Sequence, residues 1–292
     1  QPGINAKVGE YVLAIDGKEL TQVNDIYEKL EAKAGRQVVV KLGPNPDGSG
    51  SREVTVVPVA SETQLRFRAW AEDNRRYVEK ATNGRAGYVH VPDTATGGWT
   101  SFLRYYYANV SRDGVVVDER FNSGGLITDF IVNEMMKPLS AVFHWRYGKD
   151  WPTPGSAVFG PKVMIVNQYA GSGGDMLPWL FKHHKIGPVI GKRTWGGLVA
   201  SFSFPVVDGG NVNSPDGAFY NPHNGTWDVE NYGVDPDIEV DLDPFLWRQG
   251  RDAQLERAVA EINKLLQNYT PPKLRKPAFP DKSKVENVDK RG

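Results

Sequence analysis

Val163-Met-Ile-Val-Asn-Gln-Tyr-Ala-Gly-Ser-Gly-Gly-Asp175 decides the reading of this chain: an apolar, β-type run that ends in a polar, glycine-rich corner around one serine. A weak alcohol becomes a useful nucleophile when a tight turn exposes its oxygen and nearby backbone N–H groups receive the charge developing on a substrate carbonyl. Gly171, Gly173 and Gly174 permit both, so Ser172 is the candidate nucleophile. The same residues also suit a plain turn between a strand and a helix.

Working outward, strand-like runs occur at 86–91, 114–118, 162–166 and 189–190. Helical stretches at 100–109, 127–136 and 176–184 separate them, and strands alternating with helices predict a largely parallel sheet in an α/β layer. Near the end, residues 249–267 form an amphipathic pattern with Leu255, Val259, Ile262 and Leu266 on one face, which predicts a helix packed on that sheet. Residues 62–82 alternate charged and apolar positions at helical spacing, with Leu65, Ala69, Trp70 and Tyr77 as the expected buried set.

The first part of the chain reads differently. Residues 11–15, 37–42 and 52–57 are short β-type runs, with the turn Asp16-Gly17 and a helix expected from Asn24 to about residue 34. The expected organisation is a β-rich unit at 1–58, a helical connector at 59–83, an α/β core at 84–267 and a proline-rich basic tail at 268–292.

The chain has 292 residues, with Lys plus Arg equal to Asp plus Glu at 35 each and no cysteine. A balanced charge without long runs of one sign argues against nucleic acid or an anionic membrane surface as partner. The absence of cysteine excludes disulfides, thiol catalysis and thiolate metal sites. No run approaches the ~18 apolar residues of a membrane helix, so membrane insertion is not expected. Gln1-Pro-Gly-Ile is neither a start methionine nor a signal segment, so a fragment of a longer or processed protein is expected. His183-His184 lacks the Glu-x-x-His spacing or acidic cluster of a metal site, and neither metal nor cofactor is expected.

Four places can be read together. Val115-Val-Val-Asp-Glu-Arg-Phe-Asn-Ser-Gly-Gly125 is a strand that runs into a corner whose free N–H groups can face an anion, and Ser172 sits at a second such corner. Ile190-Gly-Lys-Arg-Thr-Trp-Gly-Gly-Leu-Val199 is a third glycine-rich turn, and Glu230-Asn-Tyr-Gly-Val-Asp-Pro-Asp-Ile-Glu-Val240 places an acid before a Gly-Val-x-Pro-Asp turn. In their order and spacing these four resemble the core of tricorn-type serine peptidases, relatives of the tail-specific and C-terminal processing peptidases. Val8-Gly-Glu-Tyr-Val-Leu-Ala-Ile-Asp-Gly-Lys-Glu-Leu20 likewise resembles the second half of a PDZ domain. The front half, which carries the carboxylate-binding loop, is not recognised, so peptide capture by this unit is not expected.

The resemblance implies a crotonase-like αβ-superhelical protease core behind a partial PDZ-like domain, and a serine endopeptidase acting on peptides or unfolded polypeptides through an acyl-enzyme. It implies that Ser172 is the nucleophile, that the N–H of Gly173 forms one side of the oxyanion hole, and that Gly125 or its neighbour Gly124 forms the other. Glu230 matches the acid of the family's catalytic tetrad, with Asp228 close enough to compete for that role. The lysine-dependent relatives carry a lysine where this chain has Gly197, so a serine-lysine dyad is not expected; Lys192, earlier in the same turn, is a weaker candidate base.

In tricorn peptidases the activating histidine comes from a segment upstream of the PDZ domain, and the same is expected here. His90, His144, His183, His184 and His223 are read as structural or surface residues, with His90 and His144 keeping some claim to the role. Trp145, Trp151, Trp179 and Trp195 can line a peptide groove or serve packing. By analogy, a homo-oligomer in the form of a closed ring is expected, and the cytoplasm is favoured over the periplasm. Two other readings stand beside the peptidase: a non-catalytic peptide-binding or scaffold subunit, and a crotonase-type acyl-CoA enzyme.

Overall fold

Runs of β-branched residues build the strands of both parts of the protein, whose structure is a computed structural model describing residues 1–20 and 25–279. The chain divides into two units, Gln1–Trp70 and Ala71–Gly292. In the first, β1 (Tyr11–Ile15), β2 (Lys18–Glu19), α1 (Ile26–Leu30), β3 (Val38–Gly43) and β4 (Arg52–Val56) follow in order. The strands form one antiparallel sheet in the order β2-β1-β3-β4. Its small core is Ala14, Ile15, Val38 and Leu42. Asp16, in the turn after β1, accepts the N–H of Val39 at 2.9 Å and pairs with Lys33 at 2.6 Å, which fixes the β1–β3 register. The expected helix start at Asn24 lies outside the described residues; the helix itself begins at Ile26, with Asp25 capping the N–H of Tyr27 at 2.9 Å.

Helix α2 (Thr63–Ala81) carries the chain into the second unit. Its expected buried face is wrong by part of a turn: Leu65 and Tyr77 are exposed, and Ala71, Asn74 and Val78 are buried. Hydropathy favours the aromatic residues, but burial follows the face that meets the sheet. There the amide of Asn74 donates to the hydroxyl of Tyr88 at 3.2 Å.

The second unit continues with β5 (Ala86–His90), α3 (Thr96–Ala108), β6 (Gly114–Asp118), α4 (Thr128–Met136), β7 (Ala141–Phe143), β8 (Trp151–Thr153), β9 (Lys162–Val166), α5 (Gly173–His183) and β10 (Val189–Gly191). Then come β11 (Ala200–Pro205), β12 (Asn211–Gly217), β13 (Tyr220–Asn221), β14 (Thr226–Trp227), β15 (Ile238–Glu239), α6 (Pro244–Arg248) and α7 (Ala253–Gln267). The expected parallel sheet is present, in the order β15-β10-β9-β6-β5 with every pairing parallel. β5, β6, β9 and β10 are buried along their whole length, as a sheet covered on both faces requires.

Alternation along the strands sorts the core into two layers. Val89, Val115, Val117, Met164 and Val166 pack with Phe102 and Tyr106 of α3, Ile131 and Met135 of α4, and Leu177 and Phe181 of α5. On the other face α7 lies across β6, β9 and β10, with Leu255, Val259, Ile262 and Leu266 buried as their spacing predicts. A side chain at Gly114 would meet Ile262 and Leu266 at 3.4 Å each, so α7 seats directly on β6.

Two boundaries move. α3 starts at Thr96 because Asp93 accepts the N–H groups of Ala95 and Gly98 at 2.8 and 2.7 Å, a start concealed by the paired glycines. α5 starts at Gly173, directly after Ser172, so the glycine corner is itself the first turn of the helix. The antiparallel ribbons β7–β8, β11–β12 and β13–β14 were not expected. Both strands of β11–β12 are exposed throughout. Residues 271–279 form neither helix nor strand, and the rest of the expected tail, 280–292, lies outside the described residues. No described helix is long and apolar enough to cross a membrane.

Candidate active site

The loops after β6, β9 and β10 all leave the same end of the parallel sheet, the carboxyl end, where open α/β sheets bind ligands. Asn167, just past β9, accepts the N–H groups of Phe121 and Tyr169 at 3.0 and 3.2 Å. The rings of those two residues stack at 5.5 Å, so the loops after β6 and β9 are tied together before either reaches its glycines.

Ser172 sits between the β9 loop and α5 with φ 56° and ψ −116°. A left-handed φ in a non-glycine residue is uncommon and persists only where its surroundings hold it. Here Asp175 provides the hold, accepting the N–H of Ser172 at 2.8 Å. This strand-to-helix elbow presents the serine at the N-terminus of a helix, whose dipole favours negative charge.

The corner after β6 meets this elbow. A Cβ on Gly124 would fall 2.8 Å from Ser172 Cβ and 3.1 Å from its Oγ, and one on Gly173 would fall 2.4 Å from Gly125 O. Ser172, Gly173, Gly124 and Gly125 are thus brought together. The two candidates for the second oxyanion donor differ: the N–H of Gly124 donates to Asn122 Oδ1 at 2.9 Å, while among the described residues nothing accepts the N–H of Gly125 or Gly173. Thr94 closes the back of the pair, its buried hydroxyl occupying the place of a Gly173 side chain and its N–H donating to Gly124 O at 2.8 Å.

Glu230 is placed on the third turn. Its Oε2 accepts the N–H groups of Leu198 and Val199 at 2.6 and 2.7 Å, and it makes no hydrogen bond to Ser172 among the described residues. Asp228 is occupied elsewhere, accepting Trp179 Nε1 of α5 at 3.0 Å. Asp175 holds the other half of the turn, taking Thr194 Oγ1 at 2.5 Å, Gly196 N at 2.7 Å and Gly197 N at 3.1 Å. The turn that carries Gly197 is therefore clasped between two carboxylates, one of them bonded to the backbone of Ser172.

The profile of Peptidase family S41 matches residues 85–240, more than half of the chain. The chain belongs to peptidase family S41. The profile of the tricorn protease PDZ domain matches residues 1–61. The "Tricorn protease" of Thermoplasma volcanium is 37% identical over 267 residues, covering 91% of this chain and 26% of that protein. The "Putative Tricorn-like protease C-terminal subunit" of Sulfurisphaera tokodaii is 38% identical over 259 residues, covering 88% and 29%. A crystal structure of the tricorn protease matches with a TM-score of 0.83 at 34% identity, covering 89% of this chain and 25% of that one. The chain spans between a quarter and a third of the length of these relatives.

Within this S41 chain, the other candidate groups take structural places. Lys192 pairs with Glu239 at 2.7 Å, which raises its pKa and keeps it a cation rather than a base. His90 is buried at the end of β5, where desolvation lowers its pKa. His144 Nδ1 pairs with Asp150 at 2.6 Å, and His183 stacks on Trp179 and on His223. Trp195 is 69% exposed, and a Cβ on Gly171 would meet its ring at 2.5 Å, so the indole lies against the Ser172 corner. Trp145 and Trp151 are exposed on the β7–β8 ribbon. An open cleft of about 800 Å³ begins at Trp195 and Thr194 and runs past Lys192, Arg193 and Tyr232; Ser172 lies outside its lining. The cleft's cations are paired, Lys192 with Glu239 and Asp241 and Arg193 with Asp235.

Three residues essential to this geometry had no role assigned from sequence: Asp118, Arg120 and Asp175. Arg120 is buried and binds Asp118 through Nε and Nη2, at 2.9 and 2.7 Å, and Asp252 through Nη1 at 2.8 Å. Burial works against the charge on Asp118, but the guanidinium outweighs it and keeps the carboxyl below its ordinary range. Asp252 caps α7 at the N–H of Leu255, 3.0 Å away, so Arg120 fastens the corner after β6 to the helix beneath the sheet. The available signal was the Asp-x-Arg-x-Asn spacing ahead of Gly124-Gly125; its partner 132 residues away was not visible.

Proposed function

We propose that this chain carries the nucleophile and oxyanion hole of a serine endopeptidase that cleaves peptides or unfolded polypeptides through an acyl-enzyme. The observation that carries this reading is the meeting of the strained Ser172 elbow with the Gly124-Gly125 corner, leaving two unclaimed N–H groups, those of Gly125 and Gly173. Ser172 Oγ attacks the scissile carbonyl and the two N–H groups receive the oxyanion. Each such donor contributes about 3 kcal/mol to the transition state. Glu230 holds the Leu198–Val199 backbone, along which an extended substrate can lie, and orients the imidazole that activates Ser172. That imidazole belongs to a histidine on an upstream segment of the longer protein, as the family resemblance implies.

Acyl-CoA chemistry and a purely scaffolding role leave the strained serine without a task. Self-association, also part of this proposal, is tested by the native mass of the full-length protein. The decisive experiment compares full-length protein with its Ser172→Ala variant, using a fluorophosphonate probe and an unfolded polypeptide substrate. Labelling at Ser172 and a loss of about 10³-fold or more in cleavage on substitution are expected. Cleavage by Ser172→Ala at the wild-type rate overturns the proposal.

A further inference from the structure

Beneath the two glycine corners lies a carboxyl group that the reaction does not use. Glu119 directly follows β6 and is fully buried. Its N–H donates to Ile165 O at 3.1 Å and its carbonyl accepts the N–H of Asn122 at 3.0 Å. Among the described residues the side chain has one hydrogen-bond partner: Oε2 accepts Asn122 Nδ2 at 3.2 Å, while Oε1 is buried with none.

Asn122 is the hinge between the corners. Its Oδ1 takes the N–H of Gly124 at 2.9 Å, and its backbone oxygen takes the N–H of Gly171 at 3.1 Å. Because Oδ1 must face the Gly124 N–H, the amide NH₂ is turned toward Glu119. Glu119 therefore sets the orientation of the Asn122 amide, whose Oδ1 holds the Gly124 corner while the backbone oxygen of the same residue holds Gly171.

The charged groups acting on Glu119 are Asp175, from α5, and Asp118, at the end of β6; both are negative. The guanidinium of Arg120 is bound to Asp118, Asp252 and Gln254. Asp175 receives four donors and Glu119 receives one, so the buried charge resides on Asp175 and the proton on Glu119. Burial first, and then the charge of Asp175, pushes the Glu119 carboxyl well above the ordinary carboxylate range.

We propose that Glu119 is a positioning residue of the peptidase site: it accepts the Asn122 amide, keeps the Gly125 and Gly173 N–H groups in register, and sets no second negative charge against Asp175 beneath Ser172. The inference rests on the peptidase reading above. Ionising Glu119 sets a second negative charge against Asp175, and the corners separate. Activity then falls on the alkaline side.

The test measures kcat and KM from pH 6 to 10 for full-length wild type, Glu119→Gln and Glu119→Leu, with Ser172→Ala as control. Glu119→Gln, the isosteric neutral residue, is expected to stay within about threefold of wild type at neutral pH and to lose the alkaline decline. Glu119→Leu is expected to lose about tenfold or more in kcat with KM within about threefold, since the Asn122 amide has no acceptor. A wild type without an alkaline decline, a Gln variant with the wild-type decline, or a Gln variant as impaired as Leu would overturn the proposal. If Glu119→Leu fails to fold, the comparison of wild type and Gln decides. Full activity in Ser172→Ala would mean that the peptidase reading itself has failed.

Discussion

The backbone N–H of Ser172 donates to the carboxylate of Asp175 at 2.8 Å, and the same carboxylate gathers Thr194, Gly196 and Gly197 from a turn some 20 residues further on. One buried side chain thus joins the Ser172 elbow to the turn that Glu230 holds from its other side. Replacing Asp175 with Ala leaves three N–H groups and a hydroxyl without their acceptor in a dry site, and a cost of about 3 kcal/mol or more is expected. Chemical denaturation of Asp175→Ala checks it, and a variant as stable as wild type contradicts the assignment.

Gly173 and Gly171 flank the same serine but are not equivalent. A Cβ at 173 falls 1.9 Å from Thr94 Oγ1 and 2.4 Å from Gly125 O, so Gly173→Ala must push the two corners apart. A Cβ at 171 meets the ring of Trp195, an exposed side chain that can swing away. Gly173→Ala is expected to lose about 10²-fold or more in kcat, and Gly171→Ala about tenfold or less. Equal losses in a steady-state assay would show that the corners do not form one hole.

Arg120 fastens the corner after β6 to the start of α7 by its bonds to Asp118 and Asp252. Arg120→Ala strands two carboxylates, Asp118 fully buried and Asp252 largely so, and about 3–5 kcal/mol of destabilisation is expected. A denaturation midpoint unchanged from wild type would contradict this.

Lys162 at the start of β9 is buried, and its ammonium donates to Val158 O and Gly160 O at 2.7 and 3.1 Å. Burial lowers its pKa from the ordinary 10.5 to about 8. Between those values the unfolded chain binds more protons than the folded one, so this group's contribution to stability rises with pH and is lost as pH falls through 8. The slope is at most about 1.4 kcal/mol per pH unit. Unfolding free energies of wild type relative to Lys162→Met should increase from pH 7.5 to 9.5, and a decrease would refute the assignment.

Much of this protein is legible without coordinates. Unbroken apolar runs within 114–118 and 162–166, and the spacing of Leu255, Val259, Ile262 and Leu266, are local patterns that specify a buried sheet and the helix on it. Glycine corners at 124–125 and 171–174 are equally visible in the sequence, though the first needs glycine for its positive φ and the second for the close approach of Trp195, Thr94 and Asn122. Tertiary structure decided what lies between them. The buried face of α2 was chosen by contact with the sheet rather than by hydropathy, which is why Asn74 is inside and Tyr77 outside.

The bonds of Asp175 to Thr194 and of Arg120 to Asp252 span 19 and 132 residues, so no window of sequence contains them. Ser172 is named by its neighbours in the chain. Its strained geometry, and the neutral or charged state of the acids beneath it, are set by groups that only folding brings within hydrogen-bond distance.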